Sequence, residues 1–171
     1  MKRLVFIGGP PGVGKTEVAM ALNQRLDSSI MLDGDWCWQM HPWDFSAENK
    51  MMVMGNIRYL LCADIANASF TTVIFSWVMD EQQIIDDICA GLPMGEVVFT
   101  SVSLLADEAT LRSHFANDRC RSGTVGDSLA RLVKYESLDS LKVWVTGKSV
   151  ADVASEISAM FFQPLNLAAT D

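Results

Sequence analysis

The sequence has no uninterrupted apolar run of about 18 residues, so neither a transmembrane helix nor a membrane partner is expected. Its start, Met1-Lys2-Arg3-Leu4, places positive charge before apolar residues as a signal peptide would. Glycine and proline break that run at Gly8-Gly9-Pro10, and no small-residue cleavage site follows, so a cytoplasmic protein is expected. The four cysteines, Cys37, Cys62, Cys89 and Cys120, stand far apart, with no C-x-x-C and no paired Cys/His cluster. That spacing argues against zinc and reads as reduced, mostly buried thiols. A net charge of −8 and no visible basic face argue against a nucleic-acid partner. Repeats and low-complexity tracts are absent. No glycine has an aspartate three residues before it, and Asn49-Lys50 is followed by Met51-Met52, so neither motif of a GTPase is present.

What is there is an alternation of short apolar runs with stretches of helical period over 171 residues, the pattern of a parallel α/β sheet in one domain. The expected strands are Leu4–Ile7, Ser29–Leu32, Thr71–Val78, Val97–Leu104 and Lys142–Val145. Helices are expected from Lys15, over Ala47–Ala68, over Glu81–Ala90, after Asp107 as N-cap, over Ser128–Ser137, and from Ser149, where Ser-Val-Ala-Asp reads as a capping box, to Phe161. The polar stretch between the fourth and fifth helices, about residues 117–127, has the composition of a lid, and the tail after Phe162 reads as loose. Ligands of such a doubly wound sheet bind beyond the carboxyl ends of the strands.

Gly9-Pro10-Pro11-Gly12-Val13-Gly14-Lys15-Thr16 matches G-x-x-x-x-G-K-[ST] at every fixed position, after a strand and before a helix. Successive backbone N–H groups in such a loop form an anion nest, and the helix N-terminus adds partial positive charge. Lys15 reaches the β- and γ-phosphates and Thr16 ligates Mg²⁺. The loop is built for a nucleoside triphosphate, which a chance glycine-rich turn explains poorly.

A second constellation follows the second strand: Leu32-Asp33-Gly34-Asp35-Trp36-Cys37-Trp38-Gln39-Met40-His41-Pro42-Trp43. If the strand continues, Asp33 and Asp35 share one face, beside the loop. One carboxylate orders the metal and the other, Asp35, accepts the proton of an attacking hydroxyl. An Asp-Gly turn explains one aspartate and not the pair. Trp36, Trp38 and Trp43 form either a pocket wall or a loop packed on the domain, and Trp77 at the end of the third strand points to the same region. Four of the seven arginines, Arg112, Arg119, Arg121 and Arg131, fall within one short segment, a solvated face or a phosphate clamp. Arg119 and Arg121 with Gly123 and Gly126 fit a closing lid. An AAA-type ATPase would use an apolar strand ending in Asp-Glu, and Val73–Glu81 offers that pattern. Asp80 with Gln83 three residues on reads instead as a helix capping box.

The loop, the strand ending in Asp-Gly-Asp, the arginine-bearing segment and the closing run VTGKSVADVASEI together resemble the small P-loop kinases over about residues 3–162. That group includes nucleoside monophosphate, shikimate, gluconate and adenylylsulfate kinases and chloramphenicol phosphotransferase. The Asp-Gly-Asp…His-Pro stretch is also similar to zeta-toxin kinases. The resemblance implies a three-layer fold with a five-stranded parallel sheet ordered 2-3-1-4-5 and a short lid. It implies ATP with Mg²⁺ as donor and a small-molecule hydroxyl as acceptor, such as a nucleotide, sugar or sugar acid, in a monomer or homodimer. Gly9, Pro10, Pro11, Gly12, Val13, Gly14, Lys15, Thr16 and Glu17 would form the run that binds the phosphates, with Thr16 and Asp33 at the metal. Asp35 would be the base, and Arg119 and Arg121 the lid arginines. Gly147 and Lys148 would border the adenine, and Arg112 or His114 would cover it. Arg58, on the second helix, would meet an anionic acceptor, beside Trp36 and Trp77. The alternatives are a nucleotide-dependent switch with Asp80-Glu81 at the metal, and a zeta-like toxin.

Overall fold

The computed structural model describes residues 1–117 and 123–162. Strands β1 (Lys2–Gly8), β2 (Ser29–Asp33), β3 (Thr72–Ser76), β4 (Val97–Leu105) and β5 (Leu141–Trp144) form one parallel sheet in the order β2-β3-β1-β4-β5. Its faces are covered by α1 (Lys15–Arg25), α2 (Ala47–Ala66), α3 (Gln82–Ala90), α4 (Glu108–Asn117), α5 (Val125–Ser137) and α6 (Val150–Phe162), giving the expected three layers.

β1 shows why its sequence is apolar at consecutive positions. Leu4 and Phe6 enter a core shared with Val53, Ile57 and Leu61 of α2, whereas Val5 and Ile7 enter the opposite core with Leu22 of α1 and Ile157 of α6. A central parallel strand has no solvent face, so period-two alternation of polarity disappears. α2 instead buries one stripe, Val53, Ile57, Leu61 and Ile65, four residues apart, and leaves Met51 and Tyr59 in water. Its start is fixed by Ser46, whose hydroxyl accepts from the Asn49 amide at 3.3 Å.

Two of the expected caps form. Asp107 accepts from the Thr110 amide at 2.7 Å at the start of α4. Ser149 donates to Asp152 at 2.6 Å and accepts from its amide at 3.2 Å at the start of α6. The box expected at Asp80 does not form: Glu81 is the N-cap of α3 and its side chain caps nothing. α5 begins at Val125 rather than Ser128, because Thr124 and Asp127 cap each other's backbone reciprocally. Gly126 therefore lies in the first turn of a helix, and the end of the expected lid is a helix start. Asp118 to Ser122 of that lid, with Arg119 and Arg121, and the tail from Gln163 lie outside the described residues.

The strand order sets the site. At the carboxyl edge Ile7 of β1 pairs with Ser76 of β3, and Ser76 with Asp33 of β2. The turns leaving β1 and β2 are thus two strands apart and open on the same edge. Among the described residues no helix is long and apolar enough to cross a membrane.

Candidate functional site

The loop between β1 and α1 is shaped by glycine. Gly12 (φ 85°) and Gly14 (φ 99°) are left-handed, a region costly for residues with a Cβ. At Gly9 an added Cβ would lie 2.7 Å from Cγ1 of Val13. Gly14 is also the N-cap of α1 and offers no side chain to its first-turn amides. Three of the loop's carbonyls are held by side chains, and Pro10 O also accepts from the Val13 amide at 3.3 Å. Pro10 O accepts from Lys15 Nζ at 3.2 Å, Pro11 O from Ser128 Oγ at 2.6 Å, and Gly12 O lies 2.8 Å from Nδ1 of His114.

Across from the loop stand the two carboxylates, not arranged as expected. β2 ends at Asp33 and a 3₁₀ helix, Gly34–Trp38, begins, so Asp33 and Asp35 do not share a strand face. Asp33 is buried. Its Oδ1 accepts from the Asp35 amide at 3.0 Å, capping the 3₁₀ turn, and its Oδ2 accepts from Thr16 Oγ1 at 2.7 Å, joining β2 to the loop. Asp35 faces the cavity, where its Oδ1 accepts from Trp77 Nε1 at 3.1 Å. Gly34 exists for Trp77: a Cβ there would sit 2.4 Å from the indole Cγ. Asp35 is reached by water but lies within a concave wall. That partial burial, and then the Asp33 charge, push its carboxyl above the ordinary value, while Lys15 and the Trp77 hydrogen bond pull the other way.

A cavity of about 910 Å³ joins these parts. Gly12, Gly14, Lys15 and Thr16 line one end and Asp35 its wall. Trp38, Trp43, Phe45, Met54 and Trp77 line the other end. A second cavity, about 420 Å³, lies past the loop against Val13, His114, Asn117, Lys148 and Val153. Glu17 borders both. Gly147 makes the left-handed turn (φ 71°) that brings Lys148 there, where Lys148 Nζ donates to Glu156 at 2.6 Å.

Three expected residues lie elsewhere. Trp36 sits on the outer side of the 3₁₀ turn, 55% exposed and off both cavity walls, whereas Trp38 and Trp43 face the cavity. Arg58 donates from Nε and Nη2 to the Asp87 carbonyl at 3.1 and 2.7 Å and lies against Gly91, fastening α2 to α3. Arg112 pairs with Glu108 one turn back at 2.5 Å, in water, so His114 rather than Arg112 borders the second cavity. Arg131 does line the main cavity. With Lys134 it holds the buried Asp80, at 3.2 and 3.3 Å, so Asp80 neither caps α3 nor stands open for a metal. Sequence reasoning missed Phe45, Lys50 and Met54, which lie on separate turns of chain and match no motif. It also missed Ser128, whose partner is distant in sequence.

No cluster of three or more His, Cys, Asp or Glu able to hold a metal occurs among the described residues. Thr16 and Asp33 supply two adjacent oxygens, a set that suits Mg²⁺, which takes few protein ligands and completes its shell with phosphate and water.

The sequence profile of the AAA domain family matches residues 5–127, most of the chain. The chain belongs to the AAA domain family. The Asp80-Glu81 pair that an AAA-type ATPase would bring to a metal is engaged here by Arg131 and Lys134. No curated protein matches the chain. Solved structures with this fold include the tunicamycin resistance protein of Deinococcus radiodurans (TM-score 0.71, 18% identity, 96% of this chain and 98% of that one). The shikimate kinase of Acinetobacter baumannii, in complex with shikimate, is also similar (0.64, 15%, 94% and 93%). So is the Mycobacterium tuberculosis APS kinase, in complex with AMPPNP and APS (0.64, 16%, 95% and 98%). This member of the AAA domain family therefore has the fold of the P-loop kinases, with the expected strand order.

Proposed function

We propose that the protein is an ATP-dependent phosphotransferase that moves the γ-phosphate of ATP to a hydroxyl of a small molecule. The carrying observation is that one cavity has an uncapped, glycine-shaped loop at one end and an anchored carboxylate, Asp35, on its wall. Two solved neighbours of the same fold whose names are kinases, one of them in complex with AMPPNP, support the reading.

The residues fit the donor. The amides of Gly12, Gly14, Lys15 and Thr16 bind its phosphates, Lys15 sets a positive charge beside the transferring group, and Thr16 and Asp33 hold its Mg²⁺. ATP with Mg²⁺ supplies the phosphoryl group and neutralises part of its charge. Asp35 orients the acceptor hydroxyl and takes its proton, and the Trp77 hydrogen bond fixes the carboxylate for that task. Val13, His114 and Lys148 border the adenine in the smaller cavity. Arg119 and Arg121 serve as lid arginines. The chain works as a single domain, monomeric or homodimeric, on free small molecules in the cytoplasm, without membrane or nucleic acid.

The test is ADP release from Mg²⁺-ATP against a panel of hydroxylated acceptors, with wild type and Asp35→Asn side by side. Stimulation by one acceptor class that the variant loses is expected. Slow release that no acceptor stimulates and the variant leaves unchanged would sink the proposal.

A further inference from the structure

The acceptor end of the main cavity has a composition of its own. Trp43 and Phe45 are 62% and 58% exposed, on a loop that could have kept polar residues there. Exposed aromatics crowded on one wall are costly in water and mark a surface made to be covered. Their rings are ordered. Trp43 and Phe45 are nearly parallel (9°, centroids 6.4 Å apart), and Trp38 is tilted against both at 5.3 and 5.0 Å. Met54 and Trp77 continue the wall toward Asp35.

The charges lining this end come from every element around it. Asp35 follows β2 and Asp87 is on α3. Asp80 and Glu81 precede α3 and are matched by Arg131 and Lys134 of α5. Lys50 of α2 has its ammonium 4.1 Å from the centre of the Phe45 ring, a cation–π contact. Arg58, the residue expected to meet an anionic acceptor, is spent on the Asp87 carbonyl. The aromatic wall thus shares its cavity with carboxylates, and of the cations lining the same cavity Lys50 faces a ring while Arg131 and Lys134 face anions.

We infer that the acceptor is an uncharged alcohol carrying an aromatic or sugar ring that lies on the Trp38–Trp43–Phe45 wall and presents its hydroxyl to Asp35. Ring faces stack on aromatic side chains without regard to hydrogen-bond pattern, and sugar C–H faces do the same. A carboxylate, sulfate or phosphate on the acceptor would share this cavity with Asp35 and Asp87 and lose its hydration. The inference rests on the phosphotransferase reading and narrows it.

The experiment compares two sets of acceptors with the full chain and Mg²⁺-ATP, following ADP release and tryptophan quenching. One set is neutral and ring-bearing: nucleosides, aryl glucosides and chloramphenicol. The other is anionic: shikimate, gluconate, adenylylsulfate and nucleoside monophosphates. The best neutral compound is expected to exceed the best anion in kcat/KM by about tenfold or more, as differential desolvation of one charge requires. Trp43→Ala, at an exposed position, should raise the KM of that acceptor about fivefold to tenfold while that of ATP holds, and Trp43→Phe should restore it. An anion as the best acceptor, or an acceptor KM indifferent to Trp43→Ala, overturns the inference and leaves the phosphotransferase standing. Failure of both sets to stimulate turnover overturns the two together.

Discussion

The two ends of the main cavity are built by different means. The donor end is backbone. Its shape comes from glycine dihedrals and the start of α1, and its carbonyls are tied down by Lys15, Ser128 and His114. The acceptor end is side chain, with Asp35 seated by Trp77, and with Trp43 and Phe45 exposed and nearly parallel over a buried, tilted Trp38. A backbone nest recognises what all phosphates share, and changing one side chain beside it alters little of its geometry. A side-chain wall recognises what distinguishes one organic molecule from another, and single substitutions reshape it. The comparison predicts where mutations will act on chemistry and where on selectivity.

The sharpest break comes at Asp35. Asp35→Asn is expected to lower kcat by about 10²–10⁴, the worth of a positioned base, with the KM of ATP little changed. Because the carboxyl is raised, wild-type activity should rise with pH over a range above the ordinary carboxylate value, and the variant should lose that limb. The same substitution should make the protein more stable. A carboxyl whose folded pKa is raised costs stability as pH climbs from the unfolded to the folded value, and the whole cost persists at neutral pH. Thermal melts at neutral pH and near pH 3 should show the variant's advantage at the first and its loss at the second.

At the donor end, Lys15→Ala is expected to lower kcat by about 10²–10³, like other losses of a group that meets developing charge. Here no acceptor-dependent pattern should emerge, since all acceptors share the phosphoryl group. A KM effect confined to one acceptor would blur the distinction between the ends.

Gly34→Ala sharpens it. The new Cβ would displace the Trp77 indole and with it the hydrogen bond that holds Asp35. A misplacement of this kind is expected to cost about 10² in kcat with acceptor, read against unchanged ATP binding. Normal acceptor turnover would mean that Trp77 does not position the base.

These contrasts also explain what the sequence disclosed. The loop was legible because its constraint is local: glycines, a lysine and a hydroxyl at fixed spacing, between a strand and a helix. The sheet order and most helix starts followed from the resemblance and from caps such as Asp107 and Ser149. Asp33 and Asp35 were found as a pair, yet the strand stops between them because Asp33 turns to cap its own continuation, a competition that spacing alone does not reveal. Arg58 and Arg112 were misplaced for one reason: a lone arginine carries no sign of whether a carbonyl or a neighbouring glutamate claims it first. The aromatic wall draws on Trp38, Trp43, Phe45 and Met54, whose convergence depends on how the loop before α2 folds.

The smallest effect lies outside both ends. Thr124→Ala removes one half of the α5 capping box and should lower stability by about 0.5–2 kcal/mol in denaturant melts, without changing either KM.

His114 and Ser128, which hold the carbonyls of Gly12 and Pro11, stand on α4 and α5, on either side of residues 118–122. The anchors of the phosphate loop therefore bracket the connecting segment without belonging to it. Substitutions confined to residues 118–122 therefore leave both clamping residues of the loop in place.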